Sequence, residues 1–248
     1  MTDSLALPSG FQPLLTRGAE VTPTAGGWRL SLPPGPAGRY RVAQLDDYQR
    51  LPRRRFPWRA GASLSLRARA SQSELPGTWG MGWWNDPFGL GLLPGGGLRL
   101  PALPNAAWFF FASPPNYLSL RDDLPACGAL AATFCSPRWP AFLLSGALLG
   151  LPLLWLAPAR RWLRRLGRRI IRQEAAWLEI DPALWHRYRL EWQAQDVRFY
   201  VDEQLVLNTA LAPRGPLGVV IWIDNQYAAF PPEGPVRYGA LANPQPAW

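Results

Sequence analysis

Apolar and polar positions alternate with a period of two over several stretches of this chain, and that alternation predicts β-strands. Trp28, Leu30 and Leu32 alternate with Arg29 and Ser31; after a Pro/Gly turn, residues 40–45 alternate again. In 63–69, Leu64, Leu66 and Ala68 point one way, with the arginines on the solvent side. Within 77–84 glycines alternate with large side chains, the pattern of a strand that lets another backbone or a ligand come close. Leu184, His186, Tyr188, Leu190 and Trp192 share one face of a long strand, opposite Trp185, Arg187, Arg189 and Glu191. After a turn at 193–195, Val197, Phe199 and Val201 alternate with Arg198, Tyr200 and Asp202, which completes a hairpin. Residues 218–224 are apolar on both faces, as in a central strand.

A different texture occupies 124–177. No charged residue occurs from Trp139 to Ala159, close to the roughly 20 residues that a bilayer crossing needs. A single crossing would put the strands before and after it on opposite sides of a membrane, so the pattern predicts an apolar hairpin or an interfacial helix, broken near Gly150 and Pro152. Next come Arg160, Arg161, Arg164, Arg165, Arg168, Arg169 and Arg172, with Trp162, Leu163, Leu166 and Ile170 on one helical side. That is the pattern of a basic amphipathic helix at a membrane surface, and with Trp155 these residues are the candidate contacts to anionic lipid. Each arginine near such a surface adds roughly 1 kcal/mol before screening. A helix hairpin packed on the body, or an oligomer contact, is the alternative. The expected organisation is a β domain of 1–123 and 178–248 with a helical insertion at 124–177.

Composition supports the strands: 14 Trp, 28 Pro and 23 Gly in 248 residues describe short segments broken by turns. The chain has no Lys, so its net charge of +9 is carried by guanidinium. The clustering of arginine beside the most apolar stretch favours a membrane over nucleic acid as partner. One His and two cysteines, Cys127 and Cys135, exclude a zinc site, and two buried thiols are expected. No sequence pattern calls for a cofactor. Residues 1–10 lack a basic and apolar leader, which places the expected location on the cytoplasmic side of a membrane.

The text 185–192, Trp-His-Arg-Tyr-Arg-Leu-Glu-Trp, followed by Val197, Arg198, Phe199, Tyr200, Val201 and Asp202, resembles the late strands of family 16 glycoside hydrolases. Gly77, Thr78 and Trp79 resemble the strand before that family's catalytic one. The resemblance implies an all-β fold: a concanavalin A-like antiparallel β-sandwich, or jelly roll, here with an inserted apolar and basic helical segment, and a ligand cleft on its concave face. The family carries Glu, Asp and Glu at alternate inward positions of one strand, because retaining hydrolysis needs two carboxyl groups about 5 Å apart. The corresponding stretch here, 98–120, contains Trp108, Phe109, Phe110 and Phe111 and no carboxylate before Arg121. Glu179 and Asp181 are expected in a connection. Family-type hydrolysis is therefore disfavoured.

Three polar knots end predicted strands: Gln44 to Tyr48 with Asp46 and Asp47, Trp84 to Phe88 with Asn85 and Asp86, and Trp222 to Tyr227 with Asp224, Asn225 and Gln226. If they converge, these aspartates lie among Trp79, Trp83, Trp84 and Trp222, where a carboxyl group would have a raised pKa and could serve as a general acid. The first expectation is a membrane-surface sandwich that binds a sugar or lipophilic ligand among these aromatics. The alternative is an enzyme that protonates, hydrates or cyclises an isoprenoid or lipid. The same aspartates equally suit turn caps, and His186 is expected as a satisfied core histidine.

Overall fold

The computed structural model describes residues 7, 9–87, 99–139 and 156–248. Trp155, and most of the uncharged run, lie outside them. Fifteen strands are formed among the described residues: β1 (Gln12–Leu15), β2 (Glu20–Thr24), β3 (Gly27–Ser31), β4 (Val42–Asp46), β5 (Ala62–Ala68), β6 (Thr78–Trp84), β7 (Ala106–Ala112), β8 (Gly128–Cys135), β9 (Arg172–Trp177), β10 (His186–Trp192), β11 (Val197–Val201), β12 (Gln204–Thr209), β13 (Gly218–Asp224), β14 (Gln226–Ala229) and β15 (Arg237–Ala240). One α-helix, α1 (Ala157–Ile170), precedes β9.

Seven strands form one antiparallel sheet in the order β1-β4-β13-β6-β7-β8-β9, and four form a second in the order β12-β11-β10-β5. The sheets pack face to face. Phe109 on β7 meets Tyr188 on β10 at 5.0 Å and Phe199 on β11 at 5.3 Å, while Trp83 on β6 meets Trp192 on β10 at 5.7 Å. Each strand gives alternate residues to this core: Trp79, Met81 and Trp83 from β6, Ala107, Phe109 and Phe111 from β7, and Val197, Phe199 and Val201 from β11. The fold is thus an antiparallel β-sandwich. The apolar 218–224 segment is β13, inside the larger sheet between β4 and β6. The β11–β12 hairpin turns at Asp202 and Glu203, with φ of 48° and 66°, the left-handed pair that a two-residue turn needs to match strand twist.

The 124–177 stretch departs from expectation. It contains β8 and β9, which extend the large sheet beyond β7 in registers that pair Phe109 with Ala131 and Ala132 with Ala175. Helical structure among its described residues is confined to α1. Pro158 suits its first turn, and Arg168 and Arg169 oppose the partial negative charge at its C-terminus. No helix of the described residues is long and apolar enough to cross a membrane. Cys127 and Cys135 are free and half-buried rather than fully enclosed.

Candidate ligand-binding face

The side of the large sheet turned away from the core carries the opposite set of alternate residues. They are Gln44 and Asp46 on β4, Val220, Trp222 and Asp224 on β13, and Thr78, Gly80, Gly82 and Trp84 on β6, with Trp108 and Phe110 on β7 and Leu130 and Phe134 on β8. Gly80 pairs with Trp222 and Phe110, and Gly82 with Val220 and Trp108. A Cβ at Gly80 would lie 2.3 Å from the Phe109 carbonyl oxygen and 2.7 Å from the Trp222 ring; at Gly82 it would lie 2.5 Å from Trp108 Cα. The glycines are therefore required for the two neighbouring strands to lay their indoles across β6.

Trp108 is the centre of the resulting aromatic surface, with ring centroids 5.5 Å from Phe110, 5.6 Å from Trp222, 5.9 Å from Trp84 and 6.0 Å from Phe134. Trp84, Trp108 and Trp222 are half-buried, so each residue remains partly accessible. Two of the indoles are locked by their N–H groups: Trp222 Nε1 donates to Thr78 Oγ1 at 3.0 Å and Trp84 Nε1 to the Tyr48 hydroxyl at 2.5 Å. Trp108 Nε1 has no hydrogen-bond partner among the described residues, which leaves a donor in the middle of the surface. Small apolar clusters wall it on two sides. Tyr48, Phe56 and Val220 form one, Phe110, Ala112 and Leu130 the other, and Trp222 packs against both.

The first wall is held from behind by Arg99. Its guanidinium donates to the carbonyls of Leu51, Tyr48 and Gln49, pairs with Asp86 at 2.6 Å, and lies over the Tyr48 and Phe56 rings at 5.5 and 5.3 Å. Asp86 itself has φ of 46°, and Arg53 donates to its carbonyl and to that of Asn85. Burial raises the Asp86 pKa, while Arg99 and Arg53 pull it back.

The four candidate aspartates do not converge. β4 and β6 flank β13 and both run antiparallel to it, so Asp46 and Asp86 lie toward one end of the sheet and Asp224 at the other. In register, Asp46 faces Val220 and Asp224 faces Val42, a separation of about 13 Å along the strand. Each carboxylate is engaged in holding backbone or a neighbouring side chain. Asp46 Oδ1 accepts from the Tyr48 and Gln49 amides, and its Oδ2 from Gln44. Asp47 accepts from the Val219 amide and the Trp58 indole. Asp224 accepts from Thr78 Oγ1 at 2.8 Å, the Gln226 amide at 3.1 Å and the Tyr40 hydroxyl at 3.3 Å. Burial raises the pKa of all four, that of Asp224 to about 7. The raised values arise from enclosure in the framework rather than from a shared catalytic cleft.

Other expected contacts are also displaced. Trp79 and Trp83 point into the inter-sheet core, where Trp79 stacks on Phe111 at 3.7 Å. Asn85 and Asn225 are buried rivets: Asn85 joins Leu103 to Asn105, and Asn225 joins Arg39, Arg41 and Leu241. Gln226 is exposed and opens β14. His186 lies at the sandwich margin, with Nδ1 2.6 Å from Asp202 and Nε2 3.0 Å from the Asp181 carbonyl, rather than in the apolar core. Of the expected ligand contacts only Trp84 and Trp222 lie on the outer face. Trp108, Phe110 and Phe134 complete it. Among the described residues no cluster of His, Cys, Asp or Glu is arranged to hold a metal.

No family model matches this sequence, and no curated protein matches it. Several solved structures of carbohydrate-active proteins are similar in shape. An endo-β-galactosidase from Clostridium perfringens that releases GlcNAcα1-4Gal aligns over 87% of this chain and 52% of its own, at 12% identity and TM-score 0.40. This chain thus spans about half the length of that one. A β-glucanase from Bacillus licheniformis aligns over 98% and 94%, also at 12% identity and TM-score 0.40. The κ-carrageenase of Pseudoalteromonas carrageenovora aligns over 100% and 95%, with the same identity and score.

Proposed function

We propose that this protein binds a carbohydrate on the outer face of its large sheet and does not cleave it with a carboxylate pair. The supporting observation is the run of half-buried indoles, Trp84, Trp108 and Trp222, lying side by side over Gly80 and Gly82. A pyranose ring has an apolar C–H face and a polar hydroxyl edge. It can stack on such an indole with one side only, while a flexible lipophilic molecule gains most from a site that encloses it. The Trp108 N–H, which has no partner among the described residues, could donate to one hydroxyl. Hydrolysis with retention requires two carboxyl groups about 5 Å apart, whereas the outward positions of β7 are Ala106, Trp108, Phe110 and Ala112. The lipophilic-substrate enzyme is the weaker reading, because Asp46, Asp47, Asp86 and Asp224 are committed to backbone and side-chain bonds at two ends of the sheet.

Affinity electrophoresis through gels that contain different soluble polysaccharides tests the proposal, with a reducing-end assay on the same mixtures. Retardation by at least one polysaccharide class without new reducing ends is expected. Unretarded migration in every gel would refute carbohydrate binding, and time-dependent release of reducing ends would refute the non-hydrolytic part.

A further inference from the structure

Helix α1 docks on the sandwich by an edge rich in arginine and leaves much of its apolar stripe outside. Arg164, whose side chain is 11% exposed, donates to the carbonyls of Ser119 and Phe230, pairs with Asp122 and lies over the Tyr117 ring at 5.4 Å. Gly167 rests against Leu120, where a Cβ would stand 3.3 Å from Cδ1. No residue of α1 is buried. On the outward side Trp162 and Leu166 are 59% and 37% exposed, and Leu156 at the N-cap is 57% exposed. Arg161, Arg165 and Arg169 share that side. A helix that served only to cover a core would bury such a stripe.

We propose that this outward face of α1 is a docking surface for an anionic membrane. Trp162 and Leu166 enter the headgroup boundary, and Arg161, Arg165 and Arg169 pair with lipid phosphates. Charge complementarity selects this occupant. α1 contains no acidic residue, the chain carries a net charge of +9, and Asp122, beside the helix, is already paired with Arg164 and Arg168. Exposed leucine and tryptophan among the arginines favour lipid over nucleic acid, which offers no aliphatic phase for Leu156 and Leu166. None of Leu156, Trp162, Leu166 and the three arginines belongs to the aromatic face, so substitutions at them test this proposal independently of carbohydrate binding.

Flotation of the full chain with vesicles tests the proposal, using phosphatidylcholine alone and an equal mixture with phosphatidylserine. The wild type should float with the mixed vesicles and not with the neutral ones. Trp162→Ser with Leu166→Ser should weaken partitioning by on the order of tenfold. The triple change Arg161→Gln, Arg165→Gln and Arg169→Gln should weaken it by on the order of a hundredfold, at about fivefold per arginine. All replaced side chains are on the outward side, so melting temperatures should hold. Leu205→Ser, at a leucine that is 53% exposed on β12 of the four-stranded sheet, should float as the wild type does. The proposal is overturned if the wild type stays with the soluble fraction, if it floats equally with neutral vesicles, or if the α1 variants float unchanged. It is also overturned if the variants instead disperse a dimer, or if a short DNA duplex displaces the vesicles at matched phosphate concentration.

Discussion

Asp224→Asn isolates the electrostatic cost of a buried carboxyl group. Asp224 is 8% exposed, and burial pushes its pKa up to about 7 against the pull of the Thr78, Gln226 and Tyr40 hydrogen bonds. An unfolded aspartate titrates near 4, so between about pH 4 and pH 7 the folded protein holds a proton that the unfolded chain has released. Stability must therefore fall as pH rises through that window, the reverse of a salt-bridged carboxylate. A displacement of this size is worth roughly 4 kcal/mol in full, or about 1.4 kcal/mol for each pH unit within the window. Asparagine keeps the acceptor for Thr78 and Gln226 and does not titrate. Denaturant unfolding, followed by tryptophan fluorescence for both proteins across the window, reads the difference directly, because Asp46, Asp47 and Asp86 titrate alike in each. The variant should gain on the wild type steadily from pH 4 to pH 7 and then level off. A difference that is flat with pH, or that shrinks as pH rises, would refute the reasoning.

Arg99→Leu should cost about 3 kcal/mol or more, because it strands the buried Asp86 carboxylate and frees the loop behind Tyr48; adding Asp86→Leu should recover part of the loss in melting temperature. Gly80→Ala forces a methyl group against the Phe109 carbonyl and the Trp222 ring, and should cost about 1–3 kcal/mol while displacing that indole. Asn116→Ala should lower stability by about 1–3 kcal/mol in thermal melts, since Asn116 donates to the Ser113 and Gly77 carbonyls and accepts from the Ala228 amide.

Strand β13 and the β10–β11 hairpin were legible in the sequence because one is apolar throughout and the other alternates cleanly. The glycine alternation in β6 was legible too, and its meaning as a place of close approach is the Trp222–Gly80 contact. β7 hid its outer face, since Phe109 and Phe111 inward and Trp108 and Phe110 outward are all aromatic, and periodicity cannot separate two apolar faces. β8 and β9 were hidden for another reason. Ala129, Ala131, Ala132, Ala175 and Ala176 have no strand preference of their own, and only pairing beyond β7 makes them strands. The aspartate knots were visible, but antiparallel order decides which end of the sheet each occupies, and that order is not local information. α1 was legible as an arginine-rich helix, whereas its docking by Arg164 depends on Ser119, Asp122 and Phe230, distant in sequence.

The most direct test of carbohydrate recognition by the outer face is calorimetric titration of the wild type and Trp108→Ala with an oligosaccharide from whichever polysaccharide class retards the protein. Trp108 lies at the centre of the aromatic surface and is half-buried, so the variant should fold. The account predicts saturable binding by the wild type and an affinity lower by up to about tenfold in the variant, the worth of one stacked aromatic contact. Equal affinity in the two proteins, with the fold intact, would place any carbohydrate elsewhere and contradict it.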